Sequence, residues 1–212
     1  MYGMEVQNYM PFTCRLANTL EDLDHVYRLR HECYLRNGSI EAQPEGRFHD
    51  KYDQLPNSFS FLLEQDGEMP VATVRISVVR PDLGWVTSPA NAVFGDHSAF
   101  TNLQGHSWVE ASRLCFSEQA RRDVLMRLVA NMAAMADFYE VEYFVGCPRV
   151  EHTELYMRWF GFEQLAPPRQ YYGVSFQTAL LGVTRPGLHL HTQHVKVMQQ
   201  ARRDAFEHIS RM

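Results

Sequence analysis

The chain has 212 residues, 45% of them hydrophobic and 21% charged, and its 20 basic and 25 acidic residues give a formal net charge of −5. This composition predicts one globular domain with a sizeable core, and the acidic balance disfavours a nucleic-acid-binding protein and, at first sight, an acidic protein partner. The four cysteines are widely spaced, and the N-terminus lacks the basic start and apolar run of a signal peptide. We therefore expect a soluble cytoplasmic protein without disulfides, a bound metal or a membrane span.

The predicted elements alternate between strands and helices. They are a strand over residues 12–17, a helix over 20–36, strands over 58–64, 71–80 and 108–116, a helix over 118–139, a strand over 141–147, a helix over 151–160, a strand over 171–183 and a polar helix over 192–209. A polar loop covers residues 38–57, and residues 81–105 read as irregular apart from one short helical turn. This order predicts an α/β fold in which helices cover a central sheet.

Charged residues lie inside two of these strands. Arg75 occurs in VATVRISVV and Glu110 in WVEASRLCF, each with apolar neighbours on both sides. Burying a lone charge is costly, so each residue needs a partner or has a function. Strand alternation puts Glu110 and Ser112 on one face and Arg113 on the other. Glu110 and Arg113 can serve one site only if the strand contains a β-bulge, a distortion that is common beside active sites.

Other polar residues precede these two strands. Together with the charges in the strands they form a set in a fixed order along the chain: Arg30 with Tyr34, Asp50 with Asp53, Arg75, and Glu110 with Arg113. Taken alone, Arg30 reads as a surface helix residue and Asp50 as a loop cap. In this order, however, the set resembles the signature of the acyl-homoserine-lactone synthases. Their relatives, the FeeM-type bacterial N-acyl amino acid synthases and the exosortase-associated acyltransferases, share it. The C-terminal half, over residues 151–162 and 171–181, is most similar to the N-acyl amino acid synthases.

This resemblance implies a GNAT-like acyltransferase fold, with a mixed and mostly antiparallel sheet flanked by helices. Residues 1–212 would form a single domain, with its core over about 12–183 and a helical extension over 184–212. The implied reaction is transfer of a long-chain fatty acyl group to the α-amine of an amino acid. No residue has the pattern of a covalent nucleophile, so direct attack on a thioester is favoured over a ping-pong reaction.

The acyl donor is predicted from a missing motif. GNAT enzymes that use acetyl-CoA bind its pyrophosphate with a glycine-rich loop, whereas the stretch after Phe116 reads SEQARRDVL and contains no glycine. An acyl carrier protein presents its pantetheine arm without the adenine nucleotide, so we expect acyl carrier protein as donor, acyl-CoA less so, and no cofactor. Such a carrier is acidic, and we expect Arg121, Arg122 and Arg127 to dock it.

The resemblance and the chemistry together suggest roles for the charged set. Glu110 is the first candidate for the general base, acting directly or through one water, because an ammonium group must lose a proton before it attacks. Asp50 and Asp53 either hold the ammonium or fix Arg30 and Arg75 in an ion-pair network. Arg75 or Arg113 binds the substrate carboxylate as a fork. Arg30 and Tyr34 complete the substrate-binding set.

Three other functions remain open from the sequence. An acyl-homoserine-lactone synthase would use S-adenosylmethionine, although the tryptophan that those enzymes carry after the first helix is absent from GSIEAQPEG. A CoA-dependent GNAT N-acetyltransferase is disfavoured by the missing glycine loop. A non-catalytic module that binds acyl chains or carrier protein is disfavoured only by the intact charged set.

Overall fold

The computed structural model describes residues 12–65, 69–120 and 124–188, together with positions 199, 202, 203, 206, 209 and 210. Seven strands form one sheet in the order β1-β2-β3-β4-β5-β7-β6. The strands are β1 Phe12–Leu16, β2 Ser58–Gln65, β3 Pro70–Val79, β4 Trp108–Phe116, β5 Tyr143–Gly146, β6 Glu163–Gln170 and β7 Gln177–Thr184. Every neighbouring pair is antiparallel except β4 and β5. The mixed, mostly antiparallel sheet confirms the predicted fold class.

Five α-helices accompany the sheet within the described ranges: α1 Leu20–Arg36, α2 Pro89–Phe94, α3 Ser98–Thr101, α4 Val124–Phe138 and α5 Thr153–Phe160. Helix α1 begins as predicted, because Thr19 and Asp22 form a reciprocal capping box. Helix α5 ends as predicted at Gly161, whose φ of 75° suits the left-handed position at a helix C-terminus. No described helix is long and apolar enough to cross a membrane.

The two faces of the central strands differ. On one face, β2, β3 and β4 present Phe61, Val74, Ile76 and Val109 to the apolar residues of α4 in the main core. On the other face, β3 and β4 present Arg75 and other polar side chains, which α1 and a 3₁₀ helix at Lys51–Gln54 cover. The site therefore lies on the polar face.

The predicted strand over residues 171–183 is wrong in its extent. Residues 163–170 form β6, which the sequence analysis missed, and only 177–184 form β7. Strand β6 contains Pro167 and Pro168, which weaken the strand pattern because proline donates no backbone hydrogen bond. It tolerates them because β6 is the edge strand and its pairing with β7 is irregular around them. Residues 171–176 instead form a turn that reaches the polar face.

Two other predicted segments also differ. Residues 81–105 contain α2 and α3 rather than one turn, and their Phe94 and Phe100 pack with Trp108 of β4 in a second apolar cluster. The prediction that the main helix begins at residue 118 is wrong, because residues 118 and 119 form a turn; its described part runs from Val124 to Phe138. Most of the predicted terminal helix over 192–209 lies outside the described residues. Ile209 is nevertheless buried in the main core, so this extension contributes to it.

Candidate active site

A bulge in β4 brings the predicted site residues together. Opposite β3, Arg75 pairs with Ser112 and Thr73 with Cys115, so Arg113 and Leu114 both lie opposite the single residue between them. Arg113 has a φ of 53°, a left-handed conformation that is rare outside glycine. The extra residue shifts the alternation, so Arg113 turns toward the face that carries Glu110. The condition set by the sequence, that the strand must bulge for both residues to serve one site, is met.

Asp50 is the centre of a buried ion-pair network. Its carboxylate accepts from Arg75 Nη1 at 2.6 Å and Nη2 at 3.3 Å. It also accepts from Arg113 Nη2 at 2.7 Å and Nε at 3.2 Å. Arg75 Nε donates in addition to Ser112 Oγ at 3.0 Å. Two guanidinium forks on one carboxylate hold both arginines at fixed angles.

Asp53 extends this network to the first helix. It lies 2.7 Å from Arg30 and 3.1 Å from Arg75, and Arg30 also donates to Ser60 at 3.0 Å. Asp50 and Asp53 form a reciprocal capping box at the start of the 3₁₀ helix: the Asp53 carboxylate accepts the backbone N–H of Asp50, and the Asp50 carboxylate accepts that of Tyr52, both at 2.9 Å. Their spacing of three residues is therefore what lets one short turn present both carboxylates to three arginines.

The network shifts the acidities of its members. Burial by itself raises the pKa of Asp50, but the charges and hydrogen bonds of Arg75 and Arg113 overcome it, so its pKa lies well below the usual range. The pKa of Asp53 is also lowered, because Arg30 and Arg75 outweigh its burial. Both carboxylates are thus ionised at neutral pH, and as anions they are committed to the arginines.

An apolar cavity of about 320 Å³ opens beside the bulge. Strand β5 ends at Gly146, opposite Ala111, so in the described chain the rest of β4 has no strand partner on that edge. The cavity occupies this gap between β4 and the segment after β5. Its wall consists mostly of apolar side chains, including Leu125, Leu128, Val129, Met132, Phe144, Phe162 and Leu181.

A polar pocket of about 360 Å³ lies on the other side of Arg113. Its lining includes Arg47, Phe48 and Asp50 from the loop after α1 and Tyr172 from the turn before β7. Arg113 is the one residue that borders both the polar pocket and the apolar cavity, as far as the described residues show. Its guanidinium lies 4.5 Å from the centre of the Phe48 ring and donates to the carbonyl oxygen of Tyr172 at 3.2 Å.

Glu110 lies deeper than the other predicted residues. It is fully buried, and one carboxylate oxygen accepts the backbone N–H of Ala90 at 2.9 Å. The other oxygen lies 3.4 Å from the hydroxyl of Tyr171, which donates to it. Burial raises the pKa of Glu110, and hydrogen bonds from Ser88, Ala90 and Tyr171 and the charge of Arg75 only partly offset this rise. A raised pKa makes Glu110 a stronger base than an exposed carboxylate.

The predicted substrate-binding residues divide into two groups. Among the described residues, Tyr34 and Arg113 line the apolar cavity, whereas Arg30 and Arg75 line neither the cavity nor the polar pocket. Arg30 and Arg75 are fully buried, and their hydrogen bonds go to the aspartates and to serines. Of the two arginines considered for the substrate carboxylate, only Arg113 is positioned to reach a ligand.

The predicted docking arginines cannot be placed as a group. Arg121 and Arg122 lie outside the described residues. Arg127 lies on α4, and at 100° per residue it faces away from the side of the helix that carries Leu125, Leu128 and Met132. The structure instead brings Arg149 to the apolar cavity, where its guanidinium lies 4.6 Å from the centre of the Phe176 ring.

The sequence analysis missed several contributors to the site. Ser112 was noted only for the face that it shares with Glu110, yet it accepts from Arg75. Tyr171 was assigned to a regular strand, and its approach to Glu110 depends on the turn before β7. Gly173 was the available signal, since its φ of 72° requires a turn, and a Cβ there would lie 3.6 Å from Arg113.

These features agree with one protein family. The family model described as "N-acyl amino acid synthase FeeM" matches residues 25–184, which is more than half of the chain. The chain belongs to this family. It is therefore an acyltransferase of the N-acyl amino acid synthase type. Comparison with curated proteins finds no match.

Solved structures with low sequence identity share the fold. The structure of FeeM, an N-acyl amino acid synthase from uncultured soil microbes, is 15% identical, with a TM-score of 0.69 over 84% of this chain and 92% of that chain. The acyl-homoserine-lactone synthase LasI is 13% identical, with a TM-score of 0.59 over 83% and 91% of the two chains. BjaI, a CoA-dependent acyl-homoserine-lactone synthase, is 14% identical, with a TM-score of 0.61 over 95% and 100%. The GNAT-like fold is confirmed.

Proposed function

We propose that this protein transfers a long-chain fatty acyl group from an acyl-carrier-protein thioester to the α-amine of an amino acid. The observation that carries the proposal is the position of Arg113, at the boundary between an apolar cavity and a polar pocket. The apolar cavity matches an acyl chain in polarity, and the polar pocket matches an amino acid. The bond between them would form where the two spaces meet.

The apolar cavity suits the acyl chain. Each methylene buried there contributes about 0.8 kcal/mol, so binding strengthens with chain length until the cavity is full. Met132 lines the cavity, and its flexible thioether adapts to a long chain. This lining supports a fatty acyl group rather than an acetyl group.

The polar pocket suits the amino acid. Arg113 can donate to the substrate carboxylate through Nη1, while Asp50 and the carbonyl oxygen of Tyr172 hold Nε and Nη2 in place. In the reaction, the neutral amine nitrogen attacks the thioester carbonyl carbon, the carbon–sulfur bond breaks, and the thiolate leaves. Backbone N–H groups on the unpaired edge of β4 are suited to stabilise the oxyanion that forms on the way.

The choice of carrier protein over CoA rests on the missing glycine loop and on basic residues. The chain carries no glycine between Phe116 and Leu125, where backbone N–H groups would bind a pyrophosphate. Arg149 lies at the cavity, and Arg121 and Arg122 precede α4, whose residues line it. Positive charge near the cavity favours an acidic carrier, and the net charge of −5, which averages over the whole chain, does not oppose this.

The test is a mass-spectrometric assay of the purified protein. Acyl groups of increasing length are supplied as carrier-protein thioesters or as CoA thioesters, with each of the common amino acids as acceptor. We expect N-acyl amino acids, with long chains on carrier protein used best. Equal or better use of acyl-CoA would contradict the choice of donor. A lactone product from S-adenosylmethionine would contradict the choice of acceptor.

Docking is tested by charge reversal. The double variant Arg121→Glu/Arg122→Glu and the single variant Arg149→Glu should raise the KM for acyl carrier protein and leave the KM for a small acyl thioester unchanged. Arg28→Glu is the matched control, because Arg28 is an exposed arginine of α1 that pairs with Asp24. Equal losses with the carrier protein and the small thioester would contradict docking at these arginines.

A further inference from the structure

The position of Glu110 raises a problem for proton transfer. An amino acid in the polar pocket must lose a proton to attack, and Glu110 is the buried carboxylate with a raised pKa. Among the described residues, however, Glu110 lines neither the polar pocket nor the apolar cavity. Both of its oxygens already accept hydrogen bonds from the protein. It therefore needs an intermediate group to reach the acceptor amine.

Tyr171 contacts Glu110 and lines a groove that adjoins the polar pocket, although it lines neither that pocket nor the apolar cavity among the described residues. Its hydroxyl donates to Glu110 Oε1 at 3.4 Å, a length that can shorten when substrate binds. On the other side, the centre of its ring lies 5.7 Å from the guanidinium carbon of Arg113. Tyr171 also lines an open groove, and this groove shares Phe48, Tyr172 and Gly173 with the polar pocket. Tyr171 thus connects the buried carboxylate to the groove that adjoins the polar pocket.

We propose that Tyr171 is a further catalytic residue, whose hydroxyl transfers the proton of the acceptor amine to Glu110. This inference rests on the proposed function. Before attack, the ammonium nitrogen gives a proton to the Tyr171 oxygen, and Tyr171 passes its own proton to the Glu110 carboxylate. Tyr171 is then neutral again, Glu110 is a carboxylic acid, and the neutral amine attacks the thioester carbonyl carbon. As the carbon–sulfur bond breaks, the nitrogen gives its second proton to the leaving thiolate, and the Glu110 proton returns through Tyr171 to water.

The groups around the pair favour such a transfer. Burial, followed by the nearby charge of Glu110, raises the pKa of Tyr171 well above its usual value, so the phenol remains protonated and serves as a relay. Besides Ser88 and Ala90, the groups that act on this pair are Arg75 from β3, Arg113 from β4, Cys147 after β5 and Tyr52 from the 3₁₀ turn. Arg75 and Arg113 carry permanent charges, and both pair with Asp50.

Tyr171→Phe removes the hydroxyl and keeps the ring. Because a positioned acid or base contributes roughly 100-fold or more, we expect kcat to fall by about that factor, with both KM values and the melting temperature unchanged. Tyr143→Phe is the matched control: Tyr143 lies on β5, packs against His106 and should keep the wild-type kcat. A Tyr171→Phe enzyme with wild-type kcat would overturn the proposal.

Two further measurements distinguish a relay from a structural role. Glu110→Gln and Tyr171→Phe should each lower kcat, and the double variant should be no slower than the slower single variant, because both act in one path. The rate of Tyr171→Phe should also recover as pH rises, since the acceptor then supplies its own neutral amine. The relay would be overturned if the loss of kcat in the double variant equalled the product of the two single losses. It would also be overturned if Tyr171→Phe lowered the rate by the same factor at every pH.

The failure of this proposal is distinguishable from failure of the proposed function. The products of the wild-type enzyme test the function, because they identify the donor and the acceptor. The ratio of variant to wild-type turnover, measured with whichever acyl acceptor the wild type uses, tests the relay. A wild-type enzyme that makes N-acyl amino acids and a fully active Tyr171→Phe variant would leave the function intact and remove Tyr171 from it.

Discussion

The two faces of the central sheet use the same strands for opposite purposes. One face of β3 presents Val74 and Ile76 to α4, while the other presents Arg75 to two aspartates. Each apolar side chain contributes about 1.5–3 kcal/mol by leaving water. The buried charges lose hydration, and their mutual attraction returns little net stability. The apolar face thus supplies stability, and the charged face supplies a fixed arrangement of groups.

This difference explains why the charged face is so completely paired. Arg30 and Arg75 have no exposed surface, and each would be costly without its aspartate. Once paired, Arg75 holds Asp50 against Arg113, which borders the polar pocket and the apolar cavity. Groups that are already oriented need not reorganise during the reaction. The predictions below contrast the two faces, starting with the largest expected effect.

Removing Asp50 should damage the charged face most. Asp50→Ala leaves Arg75 and Arg113 buried without their main partner, which costs about 3–5 kcal/mol of unfolding free energy and misplaces Arg113. Urea unfolding and turnover of the remaining folded enzyme measure both effects. Asp82→Ala, which breaks an exposed pair with Arg80, is the control and should change neither. Equal stability of the two variants would contradict the account of the network.

Acid should weaken the charged face selectively. The pKa values of Asp50 and Asp53 are lowered in the folded protein, so their contribution is present above the unfolded value of about 3.9 and is lost as pH falls toward the folded values. The free energy of unfolding should fall steeply with pH in this range, and less steeply in Asp50→Asn. The pH dependence of urea unfolding measures this, and parallel curves for the two proteins would contradict it.

Filling the apolar cavity should change the choice of acyl chain. Met132→Phe should reduce kcat/KM for the longest donors by roughly 15-fold if it excludes two methylenes, at about 0.8 kcal/mol each. Short donors should be unaffected and serve as an internal control. Met126→Phe, on the same helix but away from the cavity in the described structure, should lower stability without changing the chain-length profile. A uniform loss for all donors with Met132→Phe would exclude Met132 from chain selection.

A conservative change on the apolar face should have the smallest effect. Ile76→Val removes one buried methylene and should cost about 0.5–1.5 kcal/mol of unfolding free energy. Its kcat and KM should match the wild type, although Ile76 directly follows Arg75 in β3. Urea unfolding measures the free energy of unfolding, and steady-state kinetics measure kcat and KM. A lower kcat would indicate that the two faces are coupled rather than separate.

Local pattern was enough to predict many elements and some of the chemistry. The predicted start of α1 and the predicted end of α5 are correct, and the residues at these ends, Thr19 and Gly161, act within one helical turn. The conditional prediction of a bulge also followed from alternation alone. Strand β6 was missed because its two prolines oppose a strand pattern, and only its place at the edge of the sheet makes them acceptable.

The sequence by itself determined the set of charges, their order and the family that this order resembles. Only the tertiary structure decided which charges meet, because Asp50 lies 25 residues from Arg75 and 63 from Arg113, distances that no local pattern spans. Sheet register and a single extra residue in β4 bring them together. The same packing buried Arg30 and Arg75 away from ligands, left Arg113 between the two cavities, and turned Tyr171 toward Glu110.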